Sequence, residues 1–471
     1  LGSRDDGFWR FAVKMTLVGT GVRTPFVLHG LADRSEALEL EEVVLHDADE
    51  GRLEVMSALG AHLCSSWGAR FSIRGEPDAK SALEGARFVF TAIRVGQELA
   101  RTIDEQVPLK YGVLGQETTG PGGFAMALRT IPAMLDVART IVDVASDALI
   151  INFTNPVGLI MQALTQHTDA RVVGVCDGPI EMKRSVAEFL KVPPDQVHAD
   201  YFGLNHAGWI HRVLVDGRDR LPEVIDRFED LQTQDGSWRL FDPQLVRAIG
   251  MLPMEYLYFY YSRNRVVENI LASGSTRGEQ VESLNSVLWP AMRSRLDAGD
   301  VAGAQAEWER AMNARDETYF ARERGEDVPD EPAPGSEEPI EMFEGEGYEG
   351  LATAVITASS LRLKVPLILN VPNRGAMPDL ADDDVVEVTC LTDENGAHPL
   401  AQGRMPAHAR ALIDPLKAYE RLTVRAAVEG SYEAALEALL VHPLVGSYEV
   451  ARGILDDYLS GHAEYLTYIR R

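Results

Sequence analysis

The sequence predicts an α/β protein: a Rossmann-type parallel-sheet domain over residues 1–195, then an α+β domain for substrate binding and oligomerisation over residues 196–471. Three observations predict it. Short apolar runs alternate with helical patterns through the first part, which is how a parallel sheet with crossover helices reads. The first run ends in Gly19-Thr-Gly21 and the second in Asp47, the punctuation of a dinucleotide-binding βαβ unit. Beyond residue 195 long helical stretches take over, with shorter strand candidates between them.

In chain order, residues 11–18 form the first strand and 25–37 a helix. Residues 42–47, 87–93, 148–153 and 170–176 form the next four strands, with helices over 129–144 and 156–165. In the second part, 278–297, 302–324 and 429–440 read as helices, and 367–371 and 385–390 as strands. Residues 323–349 are acidic, rich in Pro and Gly and nearly without an apolar stripe, so they read as a mobile acidic loop. No internal repeat is visible.

Composition narrows the function. The 471 residues are 45% hydrophobic and 25% charged, ordinary for a soluble globular chain. Lys+Arg 45 against Asp+Glu 72 gives a net charge of −27. That argues against a nucleic-acid binder, which needs a basic footprint, and against docking on anionic membranes. It does not argue against an anionic substrate, because a local arginine cluster overrules the global field. Three cysteines, Cys64, Cys176 and Cys390, provide no disulfide framework, so a reducing, cytoplasmic setting is expected. No apolar run reaches the roughly 18–20 residues of a membrane helix, and the polar N-terminus has no signal-peptide pattern.

The chemistry-bearing residues sit where strands end. Gly19 and Gly21 would let the backbone approach a pyrophosphate, and Asp47 would accept from a ribose diol. Arg94, Glu117 and the glycines of Gly120-Pro-Gly-Gly123 follow the third strand, where α/β sheets hold ligands. Asn155 precedes a proline, which holds it extended with its amide free to face a ligand. Cys176-Asp177 and His206 bring a thiolate and an imidazole. These suit a borderline divalent metal at an open centre, because two ligands are too few for a structural zinc site. Without a metal, Cys176 reads as a small buried hydrophobe and His206 as a satisfied core residue. The aromatic stripe from Tyr256 to Tyr261 reads as core unless a nearby cation lowers a phenol from its pKa of about 10.

Taken together, these residues resemble glycoside hydrolase family 4. The resemblance runs over almost the whole chain, through Ile93-Arg-Val-Gly96, Arg101, Asp104-Glu105, Gly115-Gln-Glu-Thr118, Gly120-Pro-Gly-Gly123 and Asn152-Phe-Thr-Asn-Pro156. It continues through Cys176-Asp177, Gly203-Leu-Asn-His206, the tyrosine cluster, Leu369-Asn-Val-Pro-Asn373, Val386-Glu-Val388 and His442-Pro-Leu-Val445. It implies a fold like that of the lactate and malate dehydrogenases, a homodimer or homotetramer, and NAD and Mn²⁺ (or another divalent metal) as cofactors.

It also implies an unusual glycosidase chemistry. The C3 hydride of the sugar passes to NAD⁺, the C2 proton becomes acidic and is removed, the C1–O bond eliminates, water adds, and the hydride returns. On this resemblance Cys176 and His206 hold the metal, Tyr256 is the C2 base and Asp177 the general acid. Arg94 and Asn155 bind sugar hydroxyls, and Arg277 meets the C6 substituent. Gly19, Gly21 and Asp47 hold the cofactor. The Gly-Gly-Gly-Ser usual in the family's phosphoglycosidases is replaced here by Gly19-Thr-Gly-Val-Arg23, so Arg23 is a further candidate at C6. Cys176-Asp177 favours the α-anomer. The C6 anion is a phosphate or, as in the related NAD-dependent sulfoquinovosidases, a sulfonate. Two other readings stay open: an NAD-dependent 2-hydroxy acid dehydrogenase, and a non-catalytic NAD-binding sensor.

Overall fold

The structure is a computed structural model that describes residues 13–326 and 348–471. Among the described residues, the strands β1 (Val13–Val18), β2 (Leu40–His46), β3 (Ser72–Gly75), β4 (Phe88–Thr91), β5 (Leu149–Asn152) and β6 (Arg171–Gly174) pair in parallel. Their order is β3-β2-β1-β4-β5-β6. The order reverses between β1 and β4, and ligands bind in the crevice at such a switch point. β1 and β4 are apolar because helices cover both faces of the sheet; Met15, Leu17, Phe88 and Val89 are buried. The sequence reading has no strand at Ser72–Gly75. Its four residues, Ser-Ile-Arg-Gly, are mostly exposed at the sheet edge and offer almost no apolar signal.

A small antiparallel sheet follows. It contains β7 (His198–Leu204), β8 (Ala207–Val215), β9 (Arg218–Asp219) and β10 (Leu252–Pro253), with β8 between β7 and β10 and β9 paired to β8. The last strands, β11 (Val365–Pro372), β12 (Val385–Asp393) and β13 (Gly396–Pro399), return to the first sheet. β11 pairs antiparallel to β6 through Asn370 and Gly174, so one sheet of nine strands spans the position near residue 195 where the composition changes.

The acidic segment 323–349 is only partly described. Residues 327–347 lie outside the described residues. Its start departs from a loop: Ala321–Arg324 is helical and Glu323 is buried, with Asn269 donating to the Glu323 carbonyl at 2.9 Å. The longest helix of the second part that the sequence reading omits is Ala407–Glu429, which packs on the helices Pro121–Val144 and Val157–His167.

A buried ion pair ties the first part of the chain to its C-terminal helix. Arg129 donates to both oxygens of Asp104 at 2.7 and 2.6 Å, with both side chains 1% exposed. His462, at the end of the C-terminal helix Tyr448–Gly461, meets the same carboxylate at 2.8 Å. Asp104 shares the helix Gln97–Leu109 with Arg101 and Glu105. Arg129→Ala strands a buried carboxylate, so it is expected to cost about 3–5 kcal/mol, read as a lower midpoint in chemical denaturation.

Candidate active site

The turn after β1 is built around Gly19. Its φ is +96°, and an added Cβ would lie 2.5 Å from the Ala92 carbonyl oxygen, so no other residue fits there. Asp47 braces this turn. Its carboxylate accepts from the Thr20 N–H at 2.6 Å and from the Thr20 hydroxyl at 3.1 Å, while the Asp49 N–H binds its other oxygen at 2.9 Å. An added Cβ at Gly21 would meet nothing within 4 Å, so a ligand can approach the backbone there.

Cys176 and Asp177 follow β6, and Asp177 precedes the helix Gly178–Leu190. His206 is reached differently. Asn205 and His206 form the two-residue turn between β7 and β8, with His206 in the left-handed region at φ +63°. Gly203 makes the turn possible, since a Cβ there would come 2.3 Å from the Ala207 carbonyl oxygen. β10 pairs with Trp209 and Ile210 of β8, and the Met254 N–H bonds the Gly208 carbonyl at 3.0 Å. The chain leaving β10 therefore runs back alongside His206. Tyr256 lands on it, ring against ring, with centroids 3.9 Å apart and 11° between planes.

A chain of hydrogen bonds fixes the His206 tautomer. Gln116 Oε1, an acceptor only, takes the N–H groups of Thr118 and Thr119 at 2.7 and 2.6 Å and the Thr118 hydroxyl proton at 3.1 Å. The Thr118 oxygen is then left to accept, and His206 Nδ1 lies 3.0 Å away. Nδ1 carries the proton and Nε2 keeps a lone pair. Burial lowers the pKa of His206 to about 4, so the ring is neutral at neutral pH.

Arginines gather at the other end. Arg277 is the first residue of the helix Arg277–Asp297, whose start is fixed by a reciprocal cap between Thr276 and Glu279. Arg277 donates to the Arg315 carbonyl at 2.6 Å and the Thr318 hydroxyl at 2.7 Å, closing the end of the helix Val301–Glu317. Arg315 lies in the last turn of that helix. Burial lowers its pKa to about 9, helped by the charges of Arg23, Arg277 and Arg101. Arg94 and Arg101 both pair with Glu117, at 2.6 and 3.0 Å. Burial acts to raise the Glu117 carboxyl, but Arg101 and Arg94 outweigh it and hold it well below the usual range.

Gly19, Gly21, Arg23, Asp47, Arg94, Glu117, Asn155, Cys176, Asp177, His206, Tyr256 and Arg277 line one cavity, whereas the glycines of Gly120-Pro-Gly-Gly123, singled out with them, do not. Its volume of about 2040 Å³ exceeds the roughly 300–1,000 Å³ of an ordinary small-ligand pocket, leaving room for a dinucleotide and a second ligand. Sequence reasoning missed Arg315, Tyr319 and Glu255, which line it too. Arg315 looks like one more charge on a polar helix, and its only signal is its separation from Arg277 once the two helices are known to pack antiparallel.

The donors fit a divalent cation at an open centre: one thiol, one imidazole Nε2 and, lining the same cavity, Asn155 Oδ1, which is buried without a partner. Among the described residues, no three His, Cys, Asp or Glu side chains gather as a closed metal cage.

Fold and cavity define an enzyme of the doubly wound α/β class whose switch-point cleft runs on into an arginine-lined end. The malate dehydrogenase of Plasmodium falciparum shares this fold and no more than the fold, with a TM-score of 0.50 and 13% identity over 88% of this chain and 98% of that one. The family is narrower. Residues 14–192 match the family 4 glycosyl hydrolase model, and residues 201–445 match the C-terminal domain of the same family. The chain belongs to the family 4 glycosyl hydrolases.

It is 31% identical over 459 residues to the protein named "Probable 6-phospho-beta-glucosidase" of Bacillus subtilis (strain 168), covering 96% of each chain. It is 30% identical to the phospho-alpha-glucosidase PagL of Clostridium acetobutylicum, over 95% of this chain and 97% of that one. The 6-phospho-beta glucosidase of Thermotoga maritima, solved with manganese, NAD⁺ and glucose-6-phosphate, superposes with a TM-score of 0.79. It is 28% identical, with 96% of this chain and 99% of that one covered.

Proposed function

We propose that this chain hydrolyses 6-phospho-α-glucosides, with NAD⁺ and a divalent cation such as Mn²⁺ as cofactors. When bound, NAD⁺ supplies a reversible acceptor for the C3 hydride and the cation a Lewis acid. The chain's own residues do the rest. Gly19, Gly21 and Asp47 hold the dinucleotide; Cys176 and His206 Nε2 hold the cation. Arg23, Arg277 and Arg315 take the C6 anion, and Arg94 and Asn155 the ring hydroxyls. Tyr256 removes the C2 proton and Asp177 donates one to the departing C1 oxygen.

The observation that carries this reading is that Tyr256, stacked on His206, and the Arg23–Arg277–Arg315 cluster share one cavity. Both phospho-α- and phospho-β-glucosidases stand among the relatives. The choice of the α-anomer rests on Asp177 at a helix start beside Cys176. Phosphate is preferred to sulfonate because a dianion answers a half-buried cluster of three arginines better than a monoanion.

The test is hydrolysis of chromogenic α-6-phosphoglucoside, its β-anomer and an α-6-sulfonate analogue, with NAD⁺ and Mn²⁺ present and then each withheld. Turnover of the first, requiring both additions and leaving no net NADH, is expected. Net NADH from a 2-hydroxy acid, with none of the glycosides cleaved, would return the dehydrogenase reading. A second expectation concerns the cation. Thr118→Val removes the acceptor that orients His206, so Mn²⁺ affinity should fall about 10–100-fold in a paramagnetic titration, with NAD⁺ affinity unchanged.

A further inference from the structure

Tyr256 does not face the cavity alone. Its hydroxyl lies 3.2 Å from the hydroxyl of Tyr319, and Tyr319 donates to Glu255 Oε1 at 2.9 Å. The two phenols stand on an aromatic wall. Phe320 meets the edge of Tyr319 at 4.7 Å and of Tyr256 at 5.8 Å, and Phe259 stacks on Phe320 at 5.3 Å. The Tyr256 ring is held between His206 and this wall, and Tyr319, 40% exposed, is held by Phe320 and its two hydroxyl contacts; the direction of the hydroxyl protons is the freedom that remains.

A carboxylate settles that direction. Ionised Glu255 can only accept, so the Tyr319 proton is committed to it. The Tyr319 oxygen must then accept from Tyr256. With its own proton turned toward Tyr319, Tyr256 presents a lone pair to the cavity, and it can take up a proton there as its own passes to Tyr319 and that of Tyr319 passes to the Glu255 carboxylate. A protonated Glu255 allows the opposite arrangement, with Glu255 donating to Tyr319 and Tyr319 donating to Tyr256, which occupies that lone pair.

We infer that Glu255, acting through Tyr319, is a positioning residue that sets the polarity of the hydrogen-bond chain ending on Tyr256 and so decides whether Tyr256 can accept a proton from a bound sugar. This rests on the C2-base role proposed for Tyr256. The groups facing Glu255 keep its two states close in energy near neutrality. Burial raises its pKa to about 7, Tyr319 opposes by hydrogen bonding, and the charges of Asp177, Asp235 and Glu181 push it further up. Tyr319 itself feels Glu255, Tyr256 and Asp177. In the switch itself one proton is taken up or released by Glu255 and the two hydroxyls reorient. In the transfer the C2–H bond breaks with its electron pair left on the sugar, the proton goes to Tyr256, the Tyr256 proton to Tyr319 and the Tyr319 proton to Glu255, which ends protonated.

The experiment is exchange of the C2 proton of glucose 6-phosphate in D₂O, followed by NMR across neutral pH with NAD⁺ and Mn²⁺ present. It compares the intact enzyme with Tyr319→Phe, Glu255→Gln and Glu255→Asp. The intact enzyme should show exchange that rises with pH as Glu255 loses its proton. Tyr319→Phe and Glu255→Gln should lose that rise and exchange about tenfold more slowly at the alkaline end, with the KM for the sugar phosphate unchanged. Glu255→Asp should restore part of the rise.

The readout independent of turnover is the carboxyl infrared signal that titrates near neutral pH in the ligand-free protein: Glu387 is raised to the same range, so Glu255→Gln should remove one of two such components and leave the Glu387 component in place. Profiles of Tyr319→Phe and Glu255→Gln that superpose on that of the intact enzyme would overturn the inference and leave the base assignment standing. Absence of exchange by the intact enzyme at every pH would overturn the base assignment, and this inference with it.

Discussion

Tyr256→Phe is expected to lower the kcat for 6-phosphoglucoside hydrolysis by about 10²–10⁴-fold, the range for losing a positioned general base. It should leave NAD⁺ and sugar-phosphate affinity nearly unchanged. The substitution keeps the ring that stacks on His206 at 3.9 Å and meets Phe259 at 5.7 Å, so the site should not collapse. What it removes is one oxygen. That oxygen is a poor base in the bare protein: burial pushes the phenol well above its ordinary pKa, and the charges of Glu255 and Glu117 push it further. An opposite charge must offset these effects for the phenol to release its own proton at neutral pH as it takes the one from C2. The neighbouring pair Cys176 and His206 is where the proposed cation would provide it. Two measurements check this. C2-proton exchange should vanish in Tyr256→Phe while a fluorescence titration still reports NAD⁺ binding. Stripping divalent ions with a chelator should silence the intact enzyme to a similar degree, with activity restored by Mn²⁺. Retained exchange in Tyr256→Phe would end its assignment as the base.

The sequence carried the ends of the strands well and the edges of the sheet poorly. β1, β4 and β5 are short apolar runs, and each is followed by a motif, those after β1 and β4 at the switch point and that after β5 one strand beyond it. β11 and β12 were visible as strands, but nothing local says that β11 joins β6, because that pairing is decided by packing nearly two hundred residues away in the chain. The same distinction applies to the site. Cys176, His206 and Tyr256 are legible through their motifs, although only the β8–β10 pairing explains why a histidine and a tyrosine 50 positions apart are stacked. Tyr319 and Glu255 were not legible. Glu255 looks like a surface acid beside a tyrosine, and only the packing of Tyr319 on Phe320 brings a hydroxyl within reach of it.

Arg315→Met should raise the KM for a 6-phosphoglucoside about 30–150-fold, the equivalent of losing a charge-assisted hydrogen bond of about 2–3 kcal/mol to the phosphate. It should also make the ligand-free protein more stable. Both effects come from one cause. Burial lowers the Arg315 pKa to about 9, with Arg23, Arg277 and Arg101 adding like charge and Glu117 compensating in part. At neutral pH the guanidinium is charged in the folded and the unfolded chain alike, so the whole cost of that depressed pKa falls on the folded state and is relieved only as pH rises past about 9. Methionine keeps much of the apolar stem and removes the charge. A dianion in the cluster relieves the same cost in the intact protein. Thermal melts should therefore cross over: the variant melts higher without ligand, and the intact protein gains more from added glucose 6-phosphate. A variant that melts lower without ligand and keeps the full phosphate-induced shift would place the C6 anion elsewhere in the cavity. Arg277→Met serves as the control. Arg277 donates to the Arg315 carbonyl and the Thr318 hydroxyl, so its loss should weaken phosphate binding and destabilise the ligand-free protein together, because that side chain closes a helix as well as facing the ligand.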